Sequence, residues 1–116
     1  MGDADIYVAD LFGAPPRLVP GLNSPQIDAG AVLSRNGSEV FFHSTRPGTG
    51  GRDLWTSRRN SIFESWSPPE NMVSVNSSAE DLFPALSSDD DTLFFASTRP
   101  GGLGGGDIYV TTRTKH

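Results

Sequence analysis

LNSPQIDAGAVLSRNGSEVFFHSTRPG, residues 22–48, returns 53 residues later as VNSSAEDLFPALSSDDDTLFFASTRPG, residues 75–101. The alignment needs no gap. Identities fall at Asn23/Asn76, Ser24/Ser77, Asp28/Asp81, Leu33/Leu86, Ser34/Ser87 and Phe41-Phe42/Phe94-Phe95, and run on through Ser44–Gly48 and Ser97–Gly101. A third, partial copy opens the chain: DIYVAD at Asp5–Asp10 matches DLWTSR at Asp53–Arg58 and DIYVTT at Asp107–Thr112. A period near 50 residues with about four short apolar runs per unit is the mark of four-stranded antiparallel propeller blades. The expected fold is therefore all-β, with about two blades plus an extra strand in one segment covering residues 1–116. It divides into a partial first blade (about 1–21), a blade (about 22–75) and an incomplete last blade (about 76–116).

Within a unit four strands are expected. Strand A is GAVLS or FPALS, and strand B is EVFFHST or TLFFAST. Strand C is DIYVAD, DLWTS or DIYVTT, and a rim strand D lies near RLVPG and ENMVSV. Asn36-Gly37 between A and B is a hairpin signal, because both residues tolerate positive φ. Val40-Phe41-Phe42 and Leu93-Phe94-Phe95 do not alternate, so strand B is expected to be covered on both faces. Leu33, Phe42, Trp55, Leu86, Phe94, Phe95 and Tyr109 are the expected core. Trp66 is expected to pack at a sheet edge. The run Gly101–Gly106 invites a phosphate-loop reading, but no Lys-Ser/Thr follows and the loop enters a strand rather than a helix. These glycines are expected to shape a turn.

The composition narrows the function. Of 116 residues 35% are hydrophobic, and no run is long enough to span a bilayer, so membrane insertion is not expected. The net charge of −5 opposes a nucleic-acid partner, which needs a basic face. Without cysteine there is no disulfide, thiolate nucleophile or Cys-based zinc site. No signal peptide is expected at Met1-Gly2-Asp3, since no basic n-region or apolar h-region follows.

The stretch DLFPALSSDDDTLFFASTRPGGLGGGDIYVTTR resembles the WD-like β-propeller repeat of TolB-type periplasmic proteins, in the variant found beside OmpA-like domains of bacterial envelope proteins. That repeat reads Pro-x-Leu/Trp-Ser-x-Asp-Gly, an apolar strand, Ser-x-Arg-Pro-Gly-Gly-x-Gly-x-x-Asp-Ile-Tyr, a rim strand and Asn-Ser. The resemblance covers nearly the whole chain. It implies a propeller and a periplasmic or extracytoplasmic setting, and it says little about activity. The chain departs from the pattern at Gly30-Ala31, where Phe83-Pro84 stand in the second copy, and at Asp91, read as the residue replacing the turn glycine.

No residue set assembles a catalytic site. His43 and His116 are the two histidines, and neither a triad nor a metal set can be built on them. Asp89-Asp90-Asp91 lack the Asp-x-Asp-x-Asp-Gly spacing of a calcium loop. The expected function is a non-catalytic module that binds a protein or envelope component, with no cofactor and no metal. The alternative is an accessory or partial propeller of a serine peptidase or polysaccharide lyase whose catalytic residues lie elsewhere. Loops on a rigid scaffold carry binding, so the partner-facing candidates are Arg35, Asn36 and Ser38, Asp89, Asp90 and Asp91, and Asp28, Glu80 and Asp81. Arg46, Asp53, Arg99 and Asp107 are read as structural, with the two arginines bracing the loops that lead to the two aspartates. The chain offers strands C-D, A-B-C-D and A-B-C, leaving faces built from residues such as Phe41 and Phe94 open. It is expected to pair with itself as a homo-oligomer of two blades per subunit, preferably a trimer.

Overall fold

A computed structural model describes residues 4–8, 17–19, 21–48 and 51–113. None of these is helical. They form three antiparallel sheets, and in each the strands lie in sequence order. The first sheet pairs β1 (Tyr7–Val8) with β2 (Arg17–Leu18). The middle sheet runs β3 (Asp28–Leu33), β4 (Glu39–Ser44), β5 (Asp53–Arg58), β6 (Glu70–Asn71). The last runs β7 (Asp81–Leu86), β8 (Thr92–Ser97), β9 (Asp107–Thr112). Each expected strand is present, although the rim strands shrink to two residues each. Ala9, Asp10 and Pro20 of the expected first C and D strands lie outside the described residues.

The turns between the first two strands of the larger sheets are built alike. The Gly37 N–H donates to the Ser34 carbonyl and the Asp90 N–H to the Ser87 carbonyl, both at 3.0 Å. The same serines accept through Oγ from the N–H groups of Glu39 and Thr92, at 3.0 and 3.1 Å. The left-handed residue is Gly37 (φ 74°) in one turn and Asp90 (φ 65°) in the other. Asp90, not Asp91, thus stands in the glycine's place. Aspartate tolerates this region better than most side chains because its short carboxylate can bond locally.

A β-bulge interrupts β3 between Ala29 and Val32, and β7 between Leu82 and Ala85. Each contains one left-handed residue, Gly30 (φ 68°) and Phe83 (φ 54°). Phenylalanine is an outlier there, and His43 holds it. The Phe83 N–H donates to His43 Nδ1 at 3.1 Å, and the two rings meet edge to face at 4.9 Å. On the other side a Cβ on Gly30 would fall 2.7 Å from the same Nδ1. One imidazole thus fills the space between both bulges. Burial lowers its pKa to about 4, with the Arg52 charge adding to the effect and Asp28 opposing it. At neutral pH the ring is uncharged, and Nδ1 is the acceptor.

The core has two parts, one on each face of the middle sheet. Val40 and Phe42 pack with Ile6 and Leu22 towards the first sheet. Phe41 and Leu54 pack with Leu93 and Phe95 of the last sheet. Strand β4 is therefore covered on both faces, and from Val40 to Ser44 every residue is buried. Strand β8 is covered on one face only. This corrects two expectations: Phe94 is 43% exposed and Leu33 is 54% exposed. Phe41, expected to lie open, is buried because the last sheet covers it. Trp55, Leu86 and Tyr109 flank the core half-buried.

Candidate interaction surfaces

The paired Asp and Arg residues form two copies of one internal brace. Asp28 is fully buried. Its carboxylate accepts from the Ser24 N–H (2.7 Å), Ser24 Oγ (2.9 Å), Ser44 Oγ (2.7 Å) and the Arg46 guanidinium (2.8 Å). Arg46 also donates to the Leu22 carbonyl and lies over the rings of Phe42 and Trp55. In the second copy Asp81 accepts from the Ser77 N–H (2.8 Å), Ser97 Oγ (2.7 Å) and Arg99 (2.9 Å). Arg99 reaches the Val75 carbonyl at 2.7 Å and covers Phe95 and Tyr109. Burial pushes both carboxyls up, but the hydrogen bonds and the arginines outweigh it and hold both below the usual carboxylate range. The geometry follows from pairing: Asp28 sits opposite Ser44 and Asp81 opposite Ser97, so an arginine two residues further on folds back over the carboxylate.

One reading is corrected here. Asp28 and Asp81 brace the fold from inside and present nothing to a partner. Arg46 and Arg99 brace their loops, and they do so through Asp28 and Asp81. Asp53 accepts instead from Asn71 Nδ2 at 3.2 Å, and Asp107 from the Gly104 N–H at 3.2 Å.

The other loop candidates divide. Asp90 is buried and accepts the Arg35 N–H at 3.0 Å, which ties the two turns together. Glu80 accepts the Arg52 N–H at 3.1 Å and is half-buried. Ser38 donates to Asn36 Oδ1, and Asp91 accepts from the Thr92 hydroxyl at 2.9 Å. The Ser87 hydroxyl draws the Asp89 carboxyl below its ordinary range. Arg35, Asn36 and Asp89 remain exposed at one end of the sheets. Among the described residues, no three His, Asp or Glu side chains are grouped to hold a metal ion.

A second repeated device, not foreseen from the sequence, fixes the strand that follows the glycine-rich loop. Asn76 Oδ1 accepts the Leu54 N–H at 2.7 Å, and its Nδ2 donates to the Leu54 carbonyl at 2.8 Å. Asn23 does the same to Ile6, at 2.6 and 2.8 Å. The signal was present in the sequence as the Asn23/Asn76 identity. A third device has a single full copy. Arg113 donates its Nε to the Asp90 carbonyl (2.9 Å) and both outer nitrogens to Glu39 (2.8 and 2.7 Å), joining the last sheet to the middle one. Arg59 makes the matching Nε bond to the Gly37 carbonyl at 2.8 Å and stacks on Trp66 at 4.0 Å. No carboxylate among the described residues pairs with it.

Apolar surface gathers at the two ends. On the last sheet Phe94, Ile108 and Val110 stand exposed on the face turned away from the core. At the opposite end a groove of about 580 Å³ is floored by Ile6, Leu22 and Val40 and rimmed by Leu33, Phe63 and Trp66. No family model matches the chain, and no curated protein matches it either.

Proposed function

We propose that this chain is a segment of a β-propeller with WD-like repeats of the TolB type, a non-catalytic module that assembles with copies of itself and binds a protein or envelope component outside the cytoplasm. One observation carries the reading. The strands divide two, four and three. In the two larger sheets the bulge, the hairpin turn and the Asp-Arg brace recur 53 residues apart. Such repetition is what stacked blades require, because each unit must offer its neighbour the same surface. The first sheet corresponds to strands C and D, the middle sheet to a whole blade, and the last to A, B and C. The loops at the ring's ends are the binding positions, and Arg35, Asn36 and Asp89 are their exposed polar side chains. A mass from light scattering tests the assembly. Three copies of the 12.4 kDa chain, seen as a closed ring in electron micrographs, are expected. A folded monodisperse monomer would exclude it.

A further inference from the structure

The groove at the first sheet has a counterpart inside the molecule. Between the middle and last sheets a smaller cavity of about 240 Å³ is lined by Leu86, Leu93, Met72 and Val75, with Phe41 of β4 standing over it. Shifted by one repeat, Leu86 becomes Leu33, Leu93 becomes Val40, Met72 becomes Val19 and Val75 becomes Leu22, all residues of the open groove. Among the described residues only the Phe41 wall lacks a counterpart, since the first sheet there holds β1 and β2 and neither corresponds to β4. The groove has more than twice the volume of the inner cavity, about 580 against 240 Å³. At the far end the residue equivalent to Phe41 is Phe94, which points from β8 into solvent. Each end of the molecule is thus one half of a contact that the molecule already makes between its middle and last sheets.

We propose that a second copy fills the groove, with its last sheet docked so that Phe94 enters over Leu33, Val40 and Leu22 as Phe41 enters over Leu86, Leu93 and Val75. The contact is head to tail, and it gives the self-assembly proposed above a definite partner and register. Three further observations fit it. First, β9 of the incoming sheet takes the place of β1, and the segments that hold them, Asp5–Val8 and Asp107–Val110, both read Asp-Ile-Tyr-Val. Among the described residues β1 pairs through two residues and β9 through six, so β1 is the strand to give way. Second, Ile108 of β9 is the counterpart of Ile6 and Leu54, yet meets no asparagine among the described residues. In the docked position Asn23 of the receiving copy transfers from its own Ile6 to Ile108. Third, Arg59 lies where Arg113 lies in the internal contact. Thr92 stands where Glu39 does, so Arg59 receives a hydroxyl in place of a carboxylate.

Both key side chains are more than one-third exposed, so changing them removes no core packing. Phe94→Asp disables the face and keeps the groove, and Leu33→Asp disables the groove and keeps the face. Each alone is expected to weaken association at least about 30-fold, the effect of losing a central interface anchor. An equimolar mixture of the two is expected to give a dimer that grows no further, because one good face meets one good groove and the remaining ends are blocked. Phe63→Asp, on the rim and 91% exposed, is a second groove variant should Leu33→Asp unfold. Circular dichroism and melting confirm folding, and light scattering reads the mass. A wild-type chain that stays monomeric at high micromolar concentration overturns the proposal. So does a mixture that fails to dimerise, or a Leu33→Asp chain that assembles normally while Phe94→Asp does not, since that is face-to-face pairing. Open-ended growth through this contact leaves the interface standing and removes the closed propeller; a ring insensitive to both variants does the reverse.

Discussion

His43 is shut between two bulges, 3% exposed, with its Nδ1 committed to the Phe83 N–H. A histidine whose pKa falls from 6.5 to about 4 on folding makes the unfolded chain bind more protons between those values. Stability from this group is complete above pH 6.5 and declines as the pH drops towards 4, by about 3 kcal/mol in all. Below that, the depressed carboxyls of Asp28 and Asp81 also protonate, and their contribution goes too. Denaturant titrations at stepped pH read this slope. In His43→Leu it should flatten between pH 6.5 and 4 whatever the variant's absolute stability. Gly30→Ala tests the same site sterically: its methyl meets the imidazole at a positive φ, and a loss of at least about 1–3 kcal/mol is expected. In the sequence His43 had no partner, because the atom that holds it is a backbone N–H forty positions away. Gly30 and Phe83 stood out only as a mismatch between copies. That the mismatch marks a shared backbone conformation is a fact of φ, which the side-chain pattern does not encode.

Strands were the most legible level. The apolar runs, Asn36-Gly37 and the proline after each Ser-Thr-Arg placed β3–β5 and β7–β9 in the right order and close to their bounds. What the runs could not reveal was which face had a neighbour. Phe41-Phe42 and Phe94-Phe95 read identically, yet β4 is sandwiched and β8 is not. Truncation should separate them. Phe42→Ala is expected to cost about 3–5 kcal/mol, since its ring is wholly buried and leaves a cavity. Phe94→Ala should stay within about 0.5 kcal/mol in the isolated monomer. Thermal melts at low concentration compare the two. The brace was legible as residue types but not as partners. Arg46 is closer in sequence to Asp53 than to Asp28, yet strand pairing brings it to Asp28, 18 residues back. Arg46→Ala leaves a buried carboxylate without its cation, and about 3 kcal/mol should be lost, as for other broken buried pairs.

At the scale of the molecule, the 53-residue offset of the sequence recurs in the structure as the bulge, the hairpin turn and the Asp-Arg brace. It could not foretell the cross-links, such as Arg113 on Glu39, whose carboxylate is replaced by Thr92 in the other copy. The uneven cover of the sheets also sets how the molecule opens. Strand β4 has a ladder on each edge and a packed layer on each face, whereas among the described residues β1 and β2 pair through two residues each. Amide protons that can exchange only when their surroundings part report this order directly. In deuterated buffer the N–H groups of Val40 to His43 should be the last to be replaced, approaching the rate set by complete unfolding. Those of Tyr7 and Val8 should be among the first, and the contrast between them measures how far the ends of the molecule loosen while its centre stays closed.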